Sequence, residues 1–198
     1  MSGPGRWVVP VTLEGRLVHL EPLSLAHVPG LAEVGLEPEI WRWMLAPVTS
    51  VSEMRSWVEA ALAEAEAGRQ VPFATFDRAT GRPVGSTRFL NIEPDHRRLE
   101  IGWTWLARPW QRTAVNSEAK LLLLEHGFES LGALRVEFKT DARNGQSRRA
   151  LAGIGATEEG TLRQHMLTAA GRRDSVYFSV IADEWLQVRR RLEERLGR

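Results

Sequence analysis

The segment RPWQRTAVNSEAK, residues 108–120, is the part of the sequence whose residue types most clearly predict chemistry. Small and polar residues at 111–116 separate an aromatic strand from a helix that the pattern starts at Ser117. The first N–H groups of a helix have no carbonyl partner within the helix, and the helix dipole adds positive potential at the same end. Phosphate groups bind at such junctions. We therefore expect an anion-binding loop at 111–116.

The elements around this loop predict alternating strands and helices. The first half contains a strand at 16–22, helices opened by Ser24 and Ser52, the second of them ending at Gly68, and three antiparallel strands at 71–76, 83–93 and 97–106. The second half contains a helix at about 117–130, a strand at 134–140, a helix from Asn144 to Gly153 or Gly155, strands at 156–166 and 173–182, and a C-terminal helix at about 183–197.

The strand–helix–strand unit between Arg97 and Lys139 predicts a right-handed parallel crossover. We therefore expect an α/β (α+β) fold with one domain over 1–198 and a mixed, mostly antiparallel sheet of about seven strands. Two strands part where the crossover enters the sheet, so the sheet has a splayed centre and is flanked by helices. Ligands of open α/β sheets bind at such gaps, in front of a helix N-terminus.

Composition excludes several classes of protein. The chain of 198 residues is 43% hydrophobic with a net charge of +1, and Glu193 and Glu194 interrupt its Arg-rich tail, so we expect no nucleic-acid partner. No apolar run approaches about 18 residues, so we expect no membrane partner. The absence of cysteine excludes disulfides and thiolate ligands and makes a cytoplasmic location the expectation.

Two motifs, in this order along the chain, resemble a known family. The first is QRTAVN at 111–116, and the second is NGQS at 144–147, at the start of the next helix. EIGWTWL at 100–106 and LGALRVEFKTDARN at 131–144 extend the likeness. The chain resembles the GNAT (Gcn5-related N-acetyltransferase) superfamily and, within it, the branch of the ribosomal-protein alanine and serine N-terminal acetyltransferases.

The resemblance implies acetyl-CoA as the donor, a primary amine as the acceptor, direct attack on the thioester, and no metal. It implies that the CoA pyrophosphate binds the loop formed by Gln111, Arg112, Thr113, Ala114, Val115 and Asn116. The pantetheine arm would lie along Trp105, Leu106 and Ala107 like an added strand. Asn144 would reach the arm from the other side of the gap, and Ser147 would lie near the sulfur.

The loop departs from the family pattern Gln/Arg-x-x-Gly-x-Gly/Ala at two positions. Ala114 replaces the first glycine, and Asn116 replaces the second small residue. Ala114 can serve there if its φ is negative, because only positive φ requires glycine. Asn116 can serve as the helix N-cap or contact a phosphate. We expect CoA binding to be kept.

Many members of the family use a tyrosine in the helix after the fifth strand to protonate the departing thiolate. The helix at 144–154 contains no tyrosine, and Tyr177 is the only tyrosine of the chain. In the branch that this chain resembles, the serine of the second motif can act instead, which is Ser147 here. A role for Ser147 in helix capping is an equal alternative.

Glu100, in the strand at 97–106, lies where the family often has a base that acts through water. A surface pair with Arg97 or Arg98 is the equal alternative. The branch can also place a base glutamate later in the chain, at the position of Met166 here, so that base is missing. His165 has a suitable reference pKa, but strict strand alternation turns it to the opposite face, and we interpret it as a structural residue.

The resemblance places the acceptor slot across the sheet from CoA, between the first two helices and the last hairpin. We expect Trp41, Trp43 and Trp103 to line it. Packing or a homodimer contact explains Trp41 and Trp43 as well. Trp103 and Trp105 alternate with Thr104, which predicts that both lie on one sheet face, as core and as pocket wall.

We therefore expect an acetyl-CoA-dependent N-acetyltransferase that acts on a protein or peptide N-terminal amine. One alternative is a small-molecule amine acceptor such as a polyamine, an amino acid or an aminoglycoside. It would require an acidic pocket, for which the candidates are Glu33, Glu37, Glu39 and Glu53. Another alternative is a non-catalytic acyl-CoA-binding module, suggested by Ala114, Asn116 and Met166.

Overall fold

The computed structural model describes residues 6–169 and 171–198, which form one mixed sheet with helices on its faces. The strands are β1 Leu13–Glu14, β2 Val18–Pro22, β3 Gln70–Asp77, β4 Arg82–Glu93, β5 Arg98–Leu106, β6 Arg135–Asp141, β7 Thr157–Thr168 and β8 Gly171–Ile181. The α-helices are α1 Val28–Gly35, α2 Val51–Glu66, α3 Ala114–Glu125, α4 Gly145–Ile154 and α5 Trp185–Arg195.

The sheet has the strand order β1-β2-β3-β4-β5-β6-β8-β7. Its β5 and β6 are parallel, as the crossover predicts, and the other neighbouring pairs are antiparallel. The eighth strand is β1, which pairs with β2 over two residues and is too short for alternation to reveal it. The predicted mixed, mostly antiparallel fold class is confirmed.

The splayed centre lies between β5 and β6. These strands pair at only three positions, from Arg98 opposite Arg135 to Glu100 opposite Glu137. Beyond Glu100 the two strands diverge, so the remaining part of β5 has an edge without a partner strand on the β6 side within the described residues. The gap opens toward the carboxyl end of β5, where the chain turns into α3.

Different helices cover the two faces of the sheet. Phe73 and Phe89 belong to the core beneath α3 and α5, which includes Leu123 and Leu192. Ala74, next to Phe73 on the same strand, faces the other way and packs in the core beneath α1 and α2. Strand alternation explains why neighbouring residues serve different cores.

The core beneath α1 and α2 stops at β5, because it contains no residue of β6, β7 or β8. On β6 and β8, Phe138, Val176 and Phe178 face α3 and α5. Alternation therefore turns Lys139, Asp141, Arg173, Ser175 and Tyr177 to the opposite side of the sheet. We call these five residues the polar face.

Two predicted helix starts are wrong. The cap of α2 is Ser50 rather than Ser52, because the Glu53 N–H donates to Ser50 Oγ at 3.2 Å. The helix predicted to begin at Ser117 begins three residues earlier, at Ala114, after the cap Thr113. Both errors arise because several Ser and Thr residues near a helix start are equally good caps by type.

Candidate active site

The loop before α3 presents unpaired backbone donors. The Val115 N–H donates to Thr113 Oγ1 at 3.3 Å, which is the cap of the helix. Within the described residues, the N–H groups of Arg112, Thr113, Ala114 and Asn116 have no hydrogen-bond partner. Four donors at the positive end of a helix are an arrangement that favours an anion, and anion binding by this loop stays a prediction.

The positive φ of this loop falls on Arg112, at +59°. Ala114 lies in the first helical turn and does not have positive φ, so the alanine in place of glycine causes no backbone strain. Asn116 also lies inside the helix, so the expectation that it is the N-cap is wrong, because Thr113 has that place. Neither departure from the glycine pattern disturbs the backbone.

At the end of β5, two backbone groups near the gap already have hydrogen-bond partners within the chain. The Gln111 side-chain amide donates to the Leu106 carbonyl oxygen at 2.8 Å, and the Ala107 N–H donates to the Val84 carbonyl at 2.9 Å. Trp105 is only 3% exposed, and its ring packs in the core beneath α1 and α2. The backbone of Trp105, and not its ring, is therefore what faces a ligand in the gap.

The start of α4 lies on the β6 side of the gap. Asn144 caps this helix, as its Oδ1 accepts the Ser147 N–H at 3.0 Å. The Ser147 hydroxyl has no hydrogen-bond partner among the described residues and is not the cap. Ser147 therefore takes part in the helix start through its backbone N–H, and its hydroxyl is left without a partner among the described residues.

Glu100 lies at the point where β5 and β6 part and is only 2% exposed. Its Oε2 accepts the Asn91 amide at 2.8 Å and lies 3.5 Å from Lys139 Nζ. The alternative of a surface pair with Arg98 is wrong, because Arg98 lies against Glu93 and Glu137. Glu100 is thus a buried carboxylate at the floor of the gap.

Comparison with known proteins decides the family. A family model described as an acetyltransferase (GNAT) domain matches residues 17–157, which is more than half of the chain. The chain belongs to the GNAT acetyltransferases.

Relatives cover nearly the whole chain. The uncharacterized N-acetyltransferase p20 of Bacillus licheniformis is 28% identical over 176 residues, which is 88% of this chain and 98% of that protein. A GCN5-related N-acetyltransferase from Brucella melitensis has a TM-score of 0.89 and 28% identity over 94% of this chain and 86% of that one. Mycobacterium smegmatis RimJ, solved in complex with CoA-disulfide, has a TM-score of 0.81 and 25% identity over 96% of both chains.

Lys120 is a buried amine next to the gap that sequence reasoning missed. It is buried on α3, where its Nζ donates to Thr104 Oγ1 at 2.9 Å and lies 5.7 Å from the Phe138 ring centroid. Thr104 is on β5 and Phe138 on β6, both beyond the paired positions, so the amine lies beneath the gap. Burial lowers the pKa of Lys120 to about 7. A lysine within an otherwise apolar run of α3 is the signal that could have identified it.

His165 is not placed by simple alternation. In β7, Leu162 pairs with Ser175 and Met166 with Arg173, so β7 has two residues more than β8 between these pairs. This bulge has positive φ at Gln164, whose N–H donates to Asp174 Oδ1 at 2.6 Å.

The bulge breaks the regular alternation of β7, so the prediction that His165 points to the opposite face is wrong. The His165 ring lies edge-on to the Tyr177 ring of the polar face, with centroids 5.7 Å apart. Partial burial and the charges of Lys139 and Arg173 lower the pKa of His165, against an opposite effect of Glu100.

The tryptophans expected to line the acceptor slot differ in their surroundings. Trp41 is 2% exposed and packs against Trp57 and Trp105, so its observed contacts are those of a core residue. The Trp43 ring lies 5.7 Å from the Arg143 guanidinium, which connects the loop after α1 to the start of α4. A homodimer contact through Trp43 stays a prediction.

Trp103 lies at a bulge of β5. Arg88 pairs with Gly102 and Ser86 with Trp105, which leaves one extra residue in β5, and Trp103 has φ of +51°. The Arg88 guanidinium lies between two rings, 4.7 Å from the Trp103 centroid and 4.4 Å from the Trp57 centroid. Trp103 therefore lies at the edge of the α2 layer, beside the gap.

The last hairpin, formed by β7 and β8, contacts the loop that follows Trp43. The Ala169 N–H, next to the β7–β8 turn, donates to the Leu45 carbonyl at 3.0 Å, which joins the hairpin to the loop after Trp43. The polar face lies below this bridge.

The described part of the chain has no cluster of three or more acidic or histidine residues that could hold a metal ion. Within the same residues, none of the helices is long and apolar enough to span a bilayer.

Proposed function

We propose that this enzyme moves the acetyl group of acetyl-CoA to the N-terminal amine of a protein or peptide. The observation that carries the proposal is the gap between β5 and β6, which begins at Glu100 and opens toward the free N–H groups before α3. If the phosphates of acetyl-CoA bind the loop, the pantetheine arm can run along the gap and place the thioester beside the polar face. The relation to RimJ, a protein solved with CoA-disulfide, supports the donor.

In this proposal the pyrophosphate accepts hydrogen bonds from the unpaired N–H groups of Arg112, Thr113, Ala114 and Asn116, and the Gln111 side chain orders the loop. The pantetheine amides pair with the β5 backbone at Trp105 and Leu106 in the manner of an added strand, and the arm passes Ala107, whose N–H is bonded to the Val84 carbonyl. Asn144 and Ser147 approach the arm from the β6 side. These assignments rest on the geometry of the gap together with the family motifs.

Direct attack needs a base for the amine and an acid for the thiolate. We assign the base to Glu100, which takes the ammonium proton directly or through water and is kept in place by Asn91 and Lys139. The amine nitrogen then attacks the thioester carbon, the C–S bond breaks, and the sulfur takes a proton from the Ser147 hydroxyl. The attacking nitrogen loses its second proton as the amide forms, and water carries this proton to Ser147, which restores its hydroxyl.

A polycationic acceptor is less favourable in this slot. The acidic residues that such a pocket would need are engaged elsewhere: Glu33 pairs with Arg82, Glu37 with Arg108 and Glu39 with Arg42, and Glu53 accepts the Thr49 N–H. The polar face instead contains Lys139 and Arg173. An extended peptide fits an open slot between a hairpin and a loop better than a polyamine fits a basic surface.

A cytoplasmic location also stays a prediction.

Thiol release from acetyl-CoA, followed colorimetrically, tests the proposal. We expect turnover with short peptides that begin with Ala or Ser and no turnover with the same peptides already acetylated at the N-terminus. Spermidine, free amino acids and an aminoglycoside serve as competing acceptors. Faster turnover on any of these would replace the peptide as acceptor. Binding of acetyl-CoA in calorimetry, without turnover on any amine, would favour the non-catalytic module.

A further inference from the structure

Arg173 is a buried cation without a partner. It is 8% exposed, its Nε is buried without a hydrogen bond, and no carboxylate oxygen lies within ion-pair distance of its guanidinium in the described residues. Burial lowers the pKa of Arg173, and the carboxylates of Asp141 and Glu100 act in the opposite direction from a greater distance. A buried guanidinium without an anion is costly, so its retention calls for a ligand.

The two nearby carboxylates are already neutralised by other cations. Asp141 binds Arg143 through both oxygens, at 3.0 and 2.8 Å, and Glu100 lies 3.5 Å from Lys139 Nζ. The polar face therefore has one cation in excess, and that cation is Arg173.

Ser175 adds a second unpaired group. It is fully buried, and its Oγ has no hydrogen-bond partner in the described part of the chain. Ser175 lies two residues from Arg173 on β8, so both side chains are on the polar face, with Cα atoms about 7 Å apart. A guanidinium and a hydroxyl side by side form a site for a carboxylate.

The distance between this site and the gap selects the kind of ligand. β8 is two strands from β5, about 10 Å across the sheet, and Arg173 lies six residues along β8 from Ser179, which is level with Glu100. An amine at Glu100 and a carboxylate at Arg173 are therefore farther apart than the two groups of a free α-amino acid. An extended peptide rises about 3.4 Å per residue, so an acidic side chain among its first residues can reach Arg173 while the amine lies at Glu100.

We propose that Arg173 and Ser175 form a subsite for a carboxylate of the acceptor, and that the acceptor is a peptide N-terminus with Asp or Glu among its first residues. This inference rests on the proposed peptide N-terminal acetyltransferase. The amine would lie at Glu100, and the acidic side chain would bind Arg173 by charge-assisted hydrogen bonds.

Paired peptides test the subsite. Peptides that begin Ala-Asp and Ala-Asn differ only by the charge, and kcat/KM for each is measured with wild type, Arg173→Gln and Arg173→Lys. We expect wild type to prefer the acidic peptide by about tenfold or more, Arg173→Gln to lose only that preference, and Arg173→Lys to keep part of it. Ser175→Ala should reduce the preference by a smaller factor. Equal loss on both peptides would show a structural role, and no preference in wild type would overturn the subsite.

Two further measurements separate this inference from the proposed function. Calorimetric binding of the acetylated acidic and amide peptides does not need turnover, and equal affinity for both would overturn the subsite. Free aspartate and glutamate are tested as acceptors with the same variants. If these are acetylated and the peptides are not, and Arg173→Gln removes the activity, the carboxylate subsite stands and the peptide acceptor falls. An amine acceptor whose use is independent of Arg173 overturns the subsite.

Discussion

The cofactor side and the acceptor side of the gap are built in different ways. The cofactor side is one contiguous loop, 111–116, whose free N–H groups follow from the local cap at Thr113. The acceptor side combines Glu100 of β5, Lys139 of β6 and Arg173 of β8, which meet only because the strands are neighbours in the sheet. In the proposed function, backbone donors bind the cofactor, and side-chain charges select the acceptor.

This difference explains why the two sides respond differently to sequence change. The loop accepts alanine at 114, because it presents backbone N–H groups and its positive φ is at Arg112 rather than at Ala114. On the acceptor side, Glu100 and Lys139 form an ion pair, whereas Arg173 has no carboxylate partner among the described residues. A single substitution there should therefore change which acceptor binds. We infer that substitutions on the two sides should separate cofactor binding from acceptor turnover.

The largest effect is expected on the acceptor side. Glu100→Gln keeps the shape and the contact with Asn91 but removes the base, so we expect kcat to fall by about 10² to 10⁴ with CoA affinity unchanged. Steady-state kinetics and calorimetry measure the two quantities. Glu137→Gln, at the paired position of β6, is the matched control and should leave kcat near wild type. Equal kinetics for both variants would remove Glu100 from the mechanism.

An acidic residue in the loop should act on the cofactor side alone. Ala114→Asp places a carboxylate where the pyrophosphate binds, and we expect the Kd for CoA to rise about 100-fold by charge repulsion. The free energy of unfolding should not fall, since Asp is favourable in the first turn of a helix. Ser52→Asp makes the same change in the first turn of α2 and should leave the Kd unchanged. Unaltered affinity in Ala114→Asp would mean that CoA does not bind this loop.

Lys120, between the two sides, should reveal itself in the pH dependence of stability. Its folded pKa of about 7 lies below the ordinary value, so the unfolded chain binds more protons between about pH 7 and 10. The unfolding free energy of wild type should therefore rise relative to Lys120→Met across this range, by about 1.4 kcal/mol per pH unit, with no relative change below pH 7. Urea unfolding at several pH values measures it. Parallel curves would show that the amine is solvated.

The smallest expected effect concerns the cap. Thr113→Ala removes the side-chain acceptor of the Val115 N–H, so the free energy of unfolding should fall by about 1 kcal/mol. Ser117→Ala, at the start predicted from sequence, should change it by only a few tenths of a kcal/mol. Urea midpoints compare the two. A larger loss of stability in Ser117→Ala than in Thr113→Ala would mean that the helix starts at Ser117. The N–H groups of Ala114 and Asn116 would then not belong to its first turn.

The residues that sequence reasoning placed well are those with local causes. The strand and helix order, the helix start near Asn144 and the parallel crossover all follow from local patterns. The misplaced residues have non-local causes. His165 was assigned to the wrong face because a bulge in β7 breaks the alternation, and Trp41 was expected in the slot although the structure packs it against Trp57 and Trp105.

By itself the sequence determined the fold class and the family, and it predicted the loop for the cofactor, because periodicity, caps and a motif between strand and helix are properties of adjacent residues. Only the tertiary structure decided which charges meet on the polar face. It showed that Glu100 is paired with Lys139, that Lys120 lies beneath the gap, and that Arg173 lacks an anion. These facts depend on strand register and burial, which bring together residues that are far apart along the chain.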